Sequence, residues 1–295
     1  MSSSSTTTAF AGSGSPLRQQ MRSLARHRLG QVGIAIAILL LAVAIFSPWI
    51  APYDPAAIDW NAILMPPSAK YWFGTDEIGR DIFSRILWGA RVSVYIVVLS
   101  IVIAMVLGSA IGLVASYVGG WLDGLLMRIM DGLLAFPMLV LALGIITVLG
   151  PDLNNAVIAI ALVNVPSFAR LVRGVGLTIR NQEYIAAAST YGASPLRIML
   201  RHFLPNASGQ IIVFASLKAS TALITESALS FLGLGVQPPT PSWGTMMAIG
   251  LDYLNYWWMS VFPGLAIFIT VLGLNFLGDA VRDVMDPRLQ GSRSH

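Results

Sequence analysis

Apolar residues run in six blocks along this chain, at roughly 30–50, 92–118, 134–149, 154–172, 208–232 and 258–278, with polar and turn-forming residues between them. A helix needs about 20 apolar residues to cross a hydrocarbon core of about 30 Å, and most of these blocks supply that length. Within them the apolar character is continuous rather than alternating, so the pattern predicts helices, not strands. The expected fold is all-α: a polytopic membrane protein with six transmembrane helices. The first block is too long for the apolar region of a signal peptide. Ser47-Pro48-Trp49 after it is a poor small-residue cleavage site, so 30–50 reads as an uncleaved span.

The polar stretches divide the chain further. Residues 1–17 are rich in Ser, Thr and Gly without apolar period, and a disordered tail is expected. Residues 18–29 set Arg18, Arg22, Arg26 and Arg28 among Met21, Leu24 and Leu29, the pattern of an amphipathic helix lying on an inner membrane surface. Residues 51–91 form a long hydrophilic segment with Pro52, Pro55, Pro66 and Pro67. In the second span, Gly108 and Gly112 have the spacing of a close helix contact. Gly119-Gly120-Trp121-Leu122-Asp123 reads as a turn, Leu125 to Leu134 as a short helix, and Gly150-Pro151-Asp152 as a tight reversal. The stretch 180–206 offers two short helices, broken at Gly192-Ala193-Ser194-Pro195 and stopped at Pro205. The region 92–281, helices two to six with this loop, reads as one transmembrane domain, and 282–295 as a tail.

Composition excludes a soluble domain. Hydrophobic residues are 56% and charged residues 11% of the chain, against about 25% charged in soluble domains; the mean hydropathy is +0.73. With no cysteine there is no disulfide or thiol chemistry. The net charge of +4 lies beside the spans rather than in a nucleic-acid-binding patch. With the N-terminus in the cytoplasm, 14 of the 18 Lys and Arg residues fall inside, Lys218 among them at the inner end of the fifth span. Only Lys70, Arg80, Arg85 and Arg91 fall outside. The positive-inside rule then places both termini and the 180–206 loop in the cytoplasm.

No phosphate loop, His-Glu-x-x-His helix or Ser/His/Asp set is present, so this chain is not expected to be an enzyme or to carry a cofactor. His27, His202 and His295 read as interfacial residues. Glu226 is the acid deepest in a span. Its cost in hydrocarbon demands a partner or water, so it either lines a translocation path or is a buried polar clamp; Asn164 has the same two readings. Tyr253 to Trp258 reads as an aromatic anchor at the outer interface. Arg128 and Asp131 have the spacing of an intrahelical pair.

Several motifs resemble a known family. Ala187, Ala188, Gly192, Leu204 and Pro205 match the signature loop of ABC importer permeases, which runs Glu-Ala-Ala, three residues, Gly, nine residues, Ile, one residue, Leu-Pro. Ala186 and His202 replace the Glu and the Ile, and Glu183 lies one turn before Ala186. The segment Phe73 to Arg85, Glu226 to Gly235, Gln237 to Gly244, Gly278 to Asp283 and Asp286-Pro287 resemble the dipeptide/oligopeptide/nickel group. Together these cover about 20–290 and look like the second permease subunit of a dipeptide importer. The resemblance implies a type I ABC importer fold and import of dipeptides or short oligopeptides, or alternatively of glutathione, nickel or haem. It implies a homologous permease, two ATPase subunits holding ATP and Mg, and an external solute-binding protein as partners. It also implies ATPase coupling through the 180–206 loop. Asp76, Glu77, Arg80 and Asp81 are then candidates for external docking, unless they pair with one another. A secondary transporter or channel is the reading from another class.

Overall fold

The computed structural model describes residues 28–285. The expected 1–17 tail, His27, nearly all of the 18–29 helix and the tail beyond Met285, with Asp286-Pro287 and His295, lie outside them.

The described residues are almost entirely helical. Five helices are long and apolar enough to cross a membrane: α1 (Arg28–Ile50), α2 (Ile82–Val118), α5 (Leu153–Arg180), α8 (Leu204–Phe231, continuous with the short α7, Pro195–Ile198) and α10 (Trp258–Met285), which the short α9 (Trp243–Asp252) precedes. Between α2 and α5 lie α3 (Gly120–Leu134) and α4 (Met138–Leu149), which meet at 94° and make a sixth crossing if counted as one broken span. Pro137 sets this break: it cannot donate to a helix, and it drives Phe136 away from helical geometry. The expected third span at 134–149 is therefore a 12-residue helix of about 18 Å with a near-perpendicular arm before it.

Other boundaries shift for local reasons. The second span starts ten residues early, because Asp81 caps α2 through the Ser84 amide (2.8 Å). Residues 82–91 thus belong to a helix rather than to the hydrophilic segment. The α2 helix ends at Gly119, whose φ of 70° suits a residue without Cβ.

Packing centres on α2 and α5, which share the longest interface. Gly108 and Gly112 make it possible: a Cβ on Gly112 would stand 2.5 Å from the Ala169 carbonyl, and one on Gly108 2.5 Å from the Phe168 Cβ. Phe168 and Val172 are fully buried there. On the opposite side α1 and α10 pack together and leave most of their apolar surface outward, as helices facing lipid do.

Two structures close the ends of the bundle. At one end residues 51–81 fold into a cap over the starts of α2 and α10. At the other end α6 (Glu183–Thr190) and α7 (Pro195–Ile198) form a helical hairpin. Pro205 does not stop the second hairpin helix. A π turn, Met199–Phe203, joins α7 to α8 and carries the chain through Leu204-Pro205. The wider turn pairs the Leu204 amide with the Met199 carbonyl and eases the proline ring past the preceding turn.

Candidate functional site: hairpin, cap and intramembrane polar groups

The hairpin is built from end signals. The α6 helix closes with the Gly192 amide donating to the Ser189 carbonyl (3.0 Å) and the Ala193 amide to the Ala188 carbonyl (3.1 Å). This double bond pattern requires a left-handed residue, and Gly192 has φ 78°. Ser194 then caps α7, with Pro195 in its first turn. Only Ile185 and Ile198 of the hairpin are buried, and they fasten it to the bundle. Glu183, Ala187 and Pro205 are exposed, and Ala188 and Leu204 half-buried. Tyr184, Tyr191, Leu196 and Leu200 present apolar surface at this end, with Tyr191 91% exposed.

Beneath the hairpin, ion pairs bind the α3 arm to α5. Arg173 grips Asp123 with two bonds (2.5 and 2.6 Å), and Arg170 meets Asp131 at 2.6 Å. The expected Arg128–Asp131 pairing is thus replaced by pairs to the neighbouring helix.

The cap corrects the docking expectation. Asp76, Arg80 and Asp81 are buried. Asp76 accepts from the Arg80 guanidinium (2.6 Å) and from the Ile78 and Arg80 amides, while Arg80 also holds Glu77 (2.9 Å). Arg85 approaches Asp76 at 3.6 Å and donates to the Pro55 carbonyl. The charges therefore pair with each other and organise the cap instead of facing outward. Burial, and then the neighbouring Asp76, push the Glu77 carboxyl above its ordinary value. Trp258 is no interfacial anchor either: it is buried and donates to the Thr75 carbonyl (3.2 Å), while Phe73 stacks on Phe262 at 4.0 Å. Trp257 and Leu254 keep the exposed side. Next to the cap lies an open cleft of about 530 Å³, lined by Tyr53, Asp54, Trp88, Pro239, Thr240 and Pro241.

Within the bundle, Glu226 is 1% exposed. Its carboxylate accepts from Ser230 (3.0 Å), Ser227 (3.3 Å) and, across to α2, Ser93 (3.3 Å). It faces neither lipid nor an open surface of this chain, which is the geometry of a clamp. Asn164 is likewise buried and donates to the Ile160 carbonyl of its own helix (2.8 Å). Lys218, in contrast, stands near the middle of α8 and not at its end. The serine partners of Glu226 were missed by sequence reading, although their recurrence beside the acid on α8 was a signal.

Comparison with known proteins bears on the whole arrangement. Residues 104–291 match the family described as binding-protein-dependent transport system inner membrane component. Residues 15–67 match the N-terminal TM domain of oligopeptide transport permease C. The chain is 45% identical over 278 residues to the glutathione transport system permease protein GsiD of Escherichia coli O6:K15:H31, covering 94% of this chain and 92% of that protein. It is 45% identical over 260 residues to the probable D,D-dipeptide transport system permease protein DdpC of Escherichia coli K12, covering 88% and 87%. The helical bundle, the motifs and these matches agree: the chain belongs to the binding-protein-dependent inner-membrane components, as an ABC importer permease of the peptide group that sits in the bacterial inner membrane and works with further permease, ATPase and binding-protein components.

Proposed function

We propose that this chain and one homologous permease together form the path by which dipeptides and short oligopeptides, glutathione included, enter the cytoplasm. Two separate ATPase subunits, which hold ATP and Mg, drive the passage, and an external solute-binding protein delivers the cargo. The hairpin end and both termini are then cytoplasmic, and the cap is external. The charge bias supports this orientation even with Lys218 set aside: among the described residues eight basic residues, Arg28, Arg128, Arg170, Arg173, Arg180, Arg197, Arg201 and Arg282, belong to segments at the hairpin end, against four at the cap end.

The observation that carries the reading is the hairpin itself. Its aromatic and aliphatic side chains are exposed on a hairpin whose α6 lies outside the apolar spans, and exposed apolar patches of this kind mark protein contacts. The occupant in this reading is a groove on an ATPase subunit. On the other face, the cleft beside Trp88 and Thr240 takes over the docking role from the buried cap charges.

Gly192 supplies the test. A Cβ there meets nothing within 4 Å, so a substitution acts through its φ of 78° alone. Gly192→Val is expected to leave the protein inserted while cutting peptide-stimulated ATP hydrolysis and uptake about tenfold or more, and Gly192→Asn, which tolerates that geometry, to retain both. Full coupling in the Val variant, or failure of the chain to co-purify with ATPase subunits, overturns the reading.

A further inference from the structure

The geometry points to Lys218 as a carboxylate-recognition group on the translocation path. This deepens the peptide-import reading and rests on it.

Position comes first. Lys218 is 14 residues from Leu204 and 13 from Phe231, the two ends of α8. At 1.5 Å per residue that is about 20 Å of helix on either side. A lysine side chain reaches roughly 6 Å, so in a core of about 30 Å this ammonium does not reach either headgroup layer by snorkelling. The ammonium lies over the face of the Phe214 ring, 5.4 Å from its centroid. Among the described residues no carboxylate forms an ion pair with it. Glu226 is eight residues further along α8 and is enclosed by its three serines.

The surroundings supply the second observation. Lys218 is half-buried, so its side of α8 is not closed off by this chain. Gln210, Phe214, Lys218, Thr221 and Thr225 recur at helical spacing along that side. Thr221 is exposed and donates to the Lys218 carbonyl (2.9 Å), while Thr225, one turn further on, is buried, donates to the Thr221 carbonyl (2.9 Å) and faces Met138 at the start of α4. Gln210 lies at the hairpin end, beside Gln182 and Tyr184, two turns below Lys218, so the face that carries the ammonium and the exposed Thr221 hydroxyl stands within the span; it is not a lipid-facing surface, because an isolated cation there costs roughly 2.5–3.5 kcal/mol even on insertion scales. It fits a water-filled path. An ammonium in such a path attracts an anion, and the anion common to dipeptides, oligopeptides and glutathione is the carboxylate. The remaining alternative, an acid of the neighbouring permease pairing with Lys218, closes the stripe to water and so gives a different result below.

The absence of cysteine from this chain makes the stripe directly readable. Thr221→Cys, placed in the full transporter complex in lipid nanodiscs during turnover, is treated with membrane-impermeant anionic and cationic thiosulfonates, and labelling of this chain is read by mass. The anionic reagent is expected to react about tenfold faster, and Lys218→Met in the same background to erase that preference. Ala-Ala with a free carboxylate should slow the labelling, while its C-terminal amide should not. Uptake of Ala-Ala should fall about tenfold in Lys218→Met and be restored in Lys218→Arg. No labelling by either reagent, with Tyr191→Cys reacting normally as a control, overturns the proposal in favour of burial against protein or lipid. Labelling without a charge preference overturns it as well. An anion preference that no peptide relieves, in a complex that takes up no peptide, refutes peptide import and leaves an anion path for another cargo.

Discussion

A carboxylate enclosed in a helix bundle is stable only when its oxygens are occupied. Glu226 accepts three serine hydroxyls, one of them from α2, so its charge is dispersed over donors that hold two helices together. Glu226→Gln keeps the fit and one acceptor oxygen, and its amide can donate to serine hydroxyls that turn to accept, so uptake is expected to stay within about twofold of the parent protein. Glu226→Leu strands the hydroxyls at roughly 1–3 kcal/mol and should reduce the amount of assembled complex, which size-exclusion yield measures. Transport lost in the Gln variant with assembly intact would instead assign the carboxylate to the cargo. At this scale the sequence disclosed that Glu226 needed company, since the cost of an intramembrane acid is independent of fold. It did not disclose which company, because Ser93 lies 133 residues away and meets Glu226 only through the packing of α2 on α8. The cap charges teach the same lesson in reverse. Asp76, Arg80 and Asp81 looked available in a hydrophilic segment, and it is the fold of that segment that buries them.

Among the elements, α2 and α5 are the pair on which the others depend, and glycine decides how near they come. Gly112→Leu must displace the Ala169 carbonyl and the Arg173 amide, both backbone. Overpacking of this kind typically costs roughly 1–3 kcal/mol, and a backbone obstacle leaves little room for relief. The expected result is a several-fold drop in folded protein in the membrane, measured by fluorescence-detected gel filtration. Gly124→Leu on α3, where a Cβ meets nothing within 4 Å, should show no such drop. The small-residue spacing was visible in the sequence, and so were the five long helices. Their limits were less so, because hydropathy tracks the lipid and not the hydrogen bonds. Asp81 starts α2 in polar sequence, and the π turn carries the α7 rod through a proline that reads as a stop.

For the molecule as a whole, the relevant division is between its two ends. At the cap end, residues 51–56 and 239–241 come together only in the folded chain, and they make the cleft proposed for the binding protein. Thr240→Arg is expected to weaken binding-protein affinity about tenfold, by titration against the reconstituted complex, without changing basal ATP hydrolysis. An unchanged affinity would remove the cleft from the dock. The overall class was legible from composition and apolar blocks, whereas this cleft was not, since no local pattern joins segments so distant in sequence. Between the two ends runs a single helical rod, Pro195–Phe231, of 37 residues, or about 55 Å. Its inner tip is in the hairpin, its outer tip beside the cap, and Lys218 lies some 35 Å along it from the inner tip. Such a rod is a lever arm. Tilting it by about 10° at the inner tip would swing the outer tip by about 10 Å and Lys218 by about 6 Å, distances comparable to a dipeptide's own length. If the hairpin couples to an ATPase as proposed, a small push on it would be geared up along the rod, and the gearing would come from the length of one helix that continues through its π turn.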